Sequence, residues 1–162
     1  MIISKTPYRI SFFGGGSDFP EHFRQYGSSV LACAINKYCF LNVRRLPPFF
    51  EHKYRAVYSR IENISEINEF QHPSVKAVLK YFDLPEGISV IHDGDIPARS
   101  GIGSSSAFTV GLLNSMFALT GRHASKRLLA ETAIHIEQEL IGETVGCQDQ
   151  LCIRRFEPDP FS

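Results

Sequence analysis

The sequence predicts an α/β or α+β lobe. Runs rich in β-branched and aromatic residues alternate with segments of helical apolar spacing, and one helical segment is apolar around nearly its whole circumference, which puts it in an interior. No internal repeat or low-complexity linker interrupts the alternation. With 162 residues, 43% of them hydrophobic and 21% charged, the chain can bury a substantial core as one domain or as a lobe of a larger one.

Taken in order, Ile2, Ile3 and "YRISFF" form a strand or hairpin that stops at Gly14, Gly15 and Gly16, where positive backbone angles cost little. Asp18 is placed to cap a short helix, "FPEHFRQY", whose Pro20 is tolerated in a first turn. From Val30 to Leu46 the composition is that of a strand, and "RAVYS" adds another. "ENISEINEF" carries no decisive pattern. "HPSVKAVLKYFD" sets Val75, Val78, Leu79 and Phe82 at helical spacing, and "GISVIHDG" is a strand ending at Asp93 and Gly94. The all-round apolar helix is "SSSAFTVGLLNSMFALTG", and "ASKRLLAETAIHIEQELIG" is a last helix entered through Ser125 and left through Gly142. Phe12, Phe13, Tyr38 and Phe40 are expected in the core, His92 at a strand end and His135 on the surface.

Charge narrows the partners. Lys and Arg total 17 and so do Asp and Glu, so no basic excess points to nucleic acid or to a membrane surface. No apolar run reaches the roughly 18 residues of a span, and Lys5 and Arg9 break the N-terminal apolar stretch with no cleavage site after it, so a cytoplasmic protein is expected. Cys33 and Cys39 sit roughly 20 Å apart if extended, against about 5.5 Å for a disulfide. Cys147 and Cys152 are spaced for a disulfide or a Cys-x4-Cys metal pair but lack a second ligand pair, so four reduced thiols are expected.

"PARSGIGSSSAF", residues 97–108, is the stretch with chemistry in it. Gly101 and Gly103 leave backbone amides bare, and Ser104, Ser105 and Ser106 stand where the buried helix starts, so unpaired N–H groups and the positive end of the helix dipole face whatever lies in front. That is a cradle for an anion such as phosphate. An ordinary capped helix after a flexible turn has the same composition. The loop lacks the lysine of a P-loop and the third glycine of a dinucleotide fingerprint, and the chain has no His-Arg-Asp or Asp-Phe-Gly set of a protein kinase.

This loop resembles the Pro-x-x-x-Gly-Leu-Gly-Ser-Ser-Ala motif of the GHMP kinases, the family of galactokinase, homoserine kinase, mevalonate kinase and phosphomevalonate kinase. Two further stretches fit in the family's order. "TPYRISFFGGGSD", residues 6–18, resembles its first motif, closest to the heptose-phosphate kinase and fucokinase branch, and "HIEQELIGETVGCQDQ", residues 135–150, resembles the segment that supplies a metal-binding glutamate and a catalytic aspartate. The resemblance implies an α+β fold, the ribosomal protein S5 domain 2-like N-terminal lobe with a mixed β-sheet packed against helices, over residues 1–150.

It also implies roles. Asp149 is the catalytic base, with Arg9 beside it and the acceptor hydroxyl. Pro97, Arg99, Ser100, Gly101, Ile102, Gly103, Ser104, Ser105 and Ser106 hold ATP, and Glu137 and the Ser105 hydroxyl bind Mg2+. Gly15, Gly16, Ser17 and Asp18 meet a small-molecule sugar or sugar phosphate. From the residues alone, Asp149 is equally a solvated loop carboxylate, Arg9 an exposed strand arginine and Asp18 a helix cap. On its helix Glu137 lies beside an apolar face holding Ile136 and Leu140, where a carboxylate wants a cation or a donor, while Glu131, Glu139 and Glu143 read as solvated. Sugar phosphorylation is the expected activity; a GHMP kinase for a non-sugar alcohol and a non-catalytic remnant are the alternatives.

The family usually continues for roughly another 150 residues, and the absence of that C-terminal lobe leaves apolar surface through which self-association is expected. After Gln150, "LCIRRFEPDPFS" stands in place of the family's Gly-Gly-(Phe/Leu/Ile)-Asn strand. With one choice of codons, reading a base along gives Phe-Ala-Tyr-Gly-Gly-Leu-Asn-Pro-Ile-Arg-Phe, so residues 151–162 are expected to be a frameshift product, which the gene's DNA sequence tests.

Overall fold

The computed structural model describes residues 1–97 and 100–151. Residues 152–162 and Arg99 therefore lie outside the described residues, and with them Cys152 and both of its pairing readings; Cys33, Cys39 and Cys147 are free thiols. The opening segment is one long strand, β1 (Ile2–Phe13), and the segment after the glycine turn is a short helix, α1 (Pro20–Tyr26). Then come β2 (Leu31–Leu46), β3 (Tyr54–Val57) and β4 (Ile61–Ile64), followed by a 3-10 turn, Ile67–Glu69, closed by a reciprocal capping box between Glu66 and Glu69. The segment without a decisive pattern thus splits into a short strand and a single tight turn. The chain continues through α2 (Pro73–Phe82), β5 (Gly87–Gly94), α3 (Ser104–Leu119) and α4 (Lys126–His135).

The five strands make one mixed sheet of order β1-β2-β5-β3-β4, antiparallel except where β3 runs parallel to β5. This is the α+β lobe with a mixed sheet that the family resemblance implies. Helix α3 packs on β1 and β2 and against α2 and α4. Its residues Ser106–Leu113 are all buried, as its continuous apolar character requires. Contact with the sheet is close at Gly111, where a Cβ would stand 2.7 Å from Thr6 Oγ1 and 3.2 Å from Ser4 Oγ. A side chain there would lift α3 off the sheet.

Two expectations are overturned. Phe12 and Phe13 are 57% and 72% exposed, at the end of β1 where Phe13 pairs with Leu31 at the start of β2. The last helix also changes winding: α4 starts at Ser125, whose side chain accepts from Leu128 N, but residues Ile136–Ile141 form a π turn before Gly142 ends it in the left-handed region. With five-residue spacing, Ile141 follows Ile136 onto the core while Leu140, expected on the apolar face, is 51% exposed. No helix among the described residues is long and apolar enough to cross a membrane.

Candidate active site

Strand β1 is irregular between Pro7 and Arg9, where its register with β2 jumps. The irregularity re-aims Arg9. Its backbone N–H donates to Ile102 O at 3.2 Å, so the strand pairs there with the glycine and serine loop. Its guanidinium reaches the other end of the chain: Nε donates to Asp149 Oδ1 at 2.6 Å, Nη2 pairs with the same oxygen, and Nη1 reaches Gly101 O at 3.4 Å. Arg9 and Asp149 are nearly buried, with side chains 11% and 18% exposed.

Gly103 completes this cluster. It has φ +74°, and a Cβ on it would lie 3.2 Å from Asp149 Oδ2 and 3.3 Å from Arg9 Cγ. It is also the N-cap of α3, and no side chain caps the helix, so first-turn amides remain for a ligand. Burial pushes the Asp149 carboxyl above its usual range; the Arg9 guanidinium pulls it back only part of the way, and the Asp18 charge adds to the rise.

The second carboxylate lies beside the first turn of α3. Glu137, carried by the π turn, is fully buried. Ser106 Oγ donates to its Oε2 at 3.1 Å, and Gln150 Nε2 donates both to that oxygen and to Ser106 Oγ, the latter at 3.2 Å. Thr109 lies beside the carboxylate but spends its proton on Ser105 O, at 3.1 Å. Burial raises the Glu137 carboxyl, the neighbouring polar side chains of Thr109, Gln150 and Ser106 offset part of the rise, and the Glu143 charge adds to it. Ser105, expected beside Glu137, is exposed, and Ser106 is the serine that reaches this carboxylate.

Glu137 Oε1 and Gln150 Oε1 are both buried without a hydrogen-bond partner among the described residues. Two orphaned acceptors beside a carboxylate with no cationic partner are what a divalent cation satisfies. Among the described residues no three His, Cys, Asp or Glu gather into a metal cage. Mg2+ takes one or two carboxylates and completes its shell with water and substrate phosphates.

Asp18 has another task. Its carboxylate is 1% exposed: Oδ1 accepts from Gly16 N and Oδ2 from Gln148 N, each at 3.0 Å, and its carbonyl accepts from Cys147 N at 3.4 Å. It staples the glycine turn to the loop bearing Asp149. Phe19, not Asp18, is the N-cap of α1. Ser17 Oγ donates to Gly14 O at 2.7 Å, while Gly15 and Gly16 are exposed at the turn and Gly15 faces the Gln148 side chain. Pro97 and Ser100 are exposed, and Ile102 is half-buried against the core. Sequence reasoning missed Gln148 and Gln150, neutral residues flanking the aspartate; their alternation about Asp149 in "QDQ" was the one available signal. A cleft of about 500 Å³ lined by Lys53, Tyr54, Ile67, Lys80 and Leu84, among others, contains none of these residues.

Residues 70–154 match the GHMP kinases N terminal domain. The chain is 27% identical over 158 residues to the D-glycero-alpha-D-manno-heptose 7-phosphate kinase of Campylobacter jejuni, a match spanning 92% of this chain and 47% of that protein. It is 26% identical over 153 residues to the galactokinase of Thermotoga maritima, spanning 90% of this chain and 41% of that one. Among solved structures, a D-glycero-D-manno-heptose 1-phosphate kinase from Bacteroides thetaiotaomicron has the same fold, with a TM-score of 0.79 at 22% identity over 93% of this chain and 52% of its own. The chain spans about half the length of the curated relatives it matches. With the glycine and serine loop against the Arg9 and Asp149 pair, and with over half its length matched, the chain belongs to the GHMP kinase family and carries that family's N-terminal domain.

Proposed function

We propose that residues 1–150 are the ATP-binding lobe of a kinase that transfers the γ-phosphoryl group of ATP to a hydroxyl of a sugar or sugar phosphate, of the heptose-phosphate kinase type. The observation that carries the reading is the contact of the Arg9 and Asp149 pair with Gly103 at the start of α3. Phosphoryl transfer is mainly a matter of positioning and charge, and those groups bring an anion cradle, a proton acceptor and a fixed cation together.

Asp149 takes the acceptor hydroxyl's proton as the bond to phosphorus forms, and its raised carboxyl makes it a better acceptor than a solvated aspartate. Arg9 orients that carboxylate and steadies charge developing beside it. The amides from Gly101 to Ser106 hold the nucleotide phosphates. Glu137 and Ser106 would hold Mg2+, which when bound neutralises phosphate charge and fixes the phosphates' orientation. Both Asp18 oxygens are engaged by backbone amides, so the sugar specificity rests on the heptose-phosphate and galactokinase relatives. The exposed Ile10, Phe12, Phe13 and Leu31 are the surface through which this lobe self-associates or meets a second lobe.

The test is ADP release with heptose phosphates, fucose, galactose and mevalonate as acceptors. It is run on the chain alone and on the chain joined to the C-terminal half of the Campylobacter jejuni relative. A heptose phosphate should be the best acceptor, and Asp149→Asn should lower turnover by about 10²- to 10⁴-fold with nucleotide binding retained. ADP release with none of the acceptors in either form overturns the reading.

A further inference from the structure

Gln150 is fully buried, and no mechanistic step above uses it. Its carboxamide nitrogen stands between Ser106 Oγ and Glu137 Oε2 and donates to both. Glu137 is paired with no Lys, Arg or His among the described residues, so a buried carboxylate is held by neutral donors alone. Gln150 bonds both members of the pair, so it fixes the Ser106 hydroxyl and the Glu137 carboxylate against each other. Without it Glu137 would keep one hydroxyl and could turn its head.

The residue's position in the chain adds a second consequence. Gln150 follows Asp149 on one helical turn, which Leu151 N to Cys147 O closes at 3.3 Å. Adjacent side chains on that turn diverge: Asp149 faces Arg9 and Gly103, while Gln150 reaches the first turn of α3 and Glu137. The amide therefore ties the turn presenting the proton acceptor to the helix whose N-terminus forms the anion cradle. The unpaired Oε1 atoms of Gln150 and Glu137 lie in this same dry cluster, which leaves it one cation short of satisfied.

We propose that Gln150 is a positioning residue: by bridging Ser106 and Glu137 it aims their oxygens at a divalent cation, and by the same bond it sets the turn that carries Asp149. The proposal rests on the kinase reading above. Partners that orient metal ligands from behind change metal affinity by about 10- to 100-fold when removed.

The test titrates the whole chain, bound to a fluorescent N-methylanthraniloyl derivative of ADP, with Mg2+. In Gln150→Ala the Mg2+ concentration for half effect should rise about 10-fold or more, while nucleotide affinity without Mg2+ stays within about twofold. In a Glu137→Gln background the same substitution should shift the midpoint less than about twofold, since it acts through Glu137. Should Gln150→Ala fail to fold, the wild-type chain decides by NMR: the Gln150 side-chain amide resonance should move on adding Mg2+ to the nucleotide-bound chain and not on adding nucleotide alone.

If wild type shows no Mg2+ effect on nucleotide binding, the kinase reading falls and takes this proposal with it. A wild-type response that Gln150→Ala leaves unchanged, an equal shift in the Glu137→Gln background, or an amide resonance that Mg2+ does not move each overturns the Gln150 proposal alone.

Discussion

The Arg9 and Asp149 cluster and the Ser106, Glu137 and Gln150 cluster share one helical turn of chain, yet they settle a buried carboxylate in opposite ways. Asp149 has a guanidinium bonded through two nitrogens to one oxygen, so its charge is balanced within the chain. Glu137 is more deeply buried and receives only a hydroxyl and an amide, with one oxygen left unpaired. A self-balanced pair can be fixed in advance of substrate, as a proton acceptor must be. An unbalanced one is stable enough to form and still has affinity left for an outside cation. In the kinase proposed above, the difference separates the group that would act on the acceptor from the group that would hold what the nucleotide brings.

The comparison breaks most visibly at Arg9. Arg9→Met removes the internal cation and leaves Asp149 in the situation of Glu137, at a cost of about 3 kcal/mol, the low end for breaking a buried pair because the pair is not wholly dry. For a chain of this size that is a fall of roughly 10 °C in Tm. The loss has a pH signature. Burial already holds the Asp149 carboxyl above its ordinary value and removing Arg9 lifts it further, so its share of stability is present at low pH and lost as pH rises through the folded-state value. Arg9→Met should therefore approach wild type near pH 4 and fall away toward neutrality, and Asp149→Asn in the same chain should restore much of the loss. Thermal melts at several pH values check both; a loss independent of pH would mean that the ion pair is not its source.

Gly103 sharpens the comparison at the point where the loop meets the pair. Gly103→Ala and Gly101→Ala both force a side chain into the left-handed region, at φ +74° and +76°, for about 1–2 kcal/mol each. Only at Gly103 does the new Cβ meet Asp149 and Arg9; at Gly101 nothing lies within 4 Å. A larger loss of both stability and nucleotide binding in Gly103→Ala than in Gly101→Ala is the expected result, read by thermal melts and nucleotide titration. Equal losses of binding would show that the loop's conformation alone, not its contact with the pair, governs the cradle.

The two clusters were not equally legible in the sequence. Gly101 to Ser106 announced a helix start in front of bare amides, and periodicity located α2 and α3, because these are local properties of a few consecutive residues. Resemblance put Arg9 and Asp149 together; no spacing rule brings residues 140 positions apart into contact. That Ser106 and not Ser105 reaches Glu137 depends on which way the first turn of α3 faces, a matter of packing. Asp18 looked like a cap because cap chemistry is local, whereas its actual partners are the N–H of Gly16 and a loop 130 residues away. The π turn left no mark either, since one extra residue in a helical turn changes phase without changing composition.

The smallest effect tests the unbalanced side directly. Glu137→Gln keeps the shape and a hydrogen-bond acceptor for Gln150 while removing the charge. Burial raises the Glu137 carboxyl above its ordinary value of 4.5, so ionising it costs folded-state stability: its contribution is fully present below about 4.5 and lost as pH rises through the folded-state value. Without metal, the variant and wild type should melt together near pH 4.5, and the variant should become a few degrees more stable by pH 7.5. Glu143→Gln should move the wild type in the same direction by less, because its charge is the last and smallest contributor to the rise. With nucleotide present, Mg2+ should raise the wild-type Tm at pH 7.5 by more than that of Glu137→Gln, so the order of stability narrows or inverts. A variant less stable than wild type at pH 7.5 without metal would show that Glu137 is already balanced inside the protein, and the contrast between the two carboxylates would be lost.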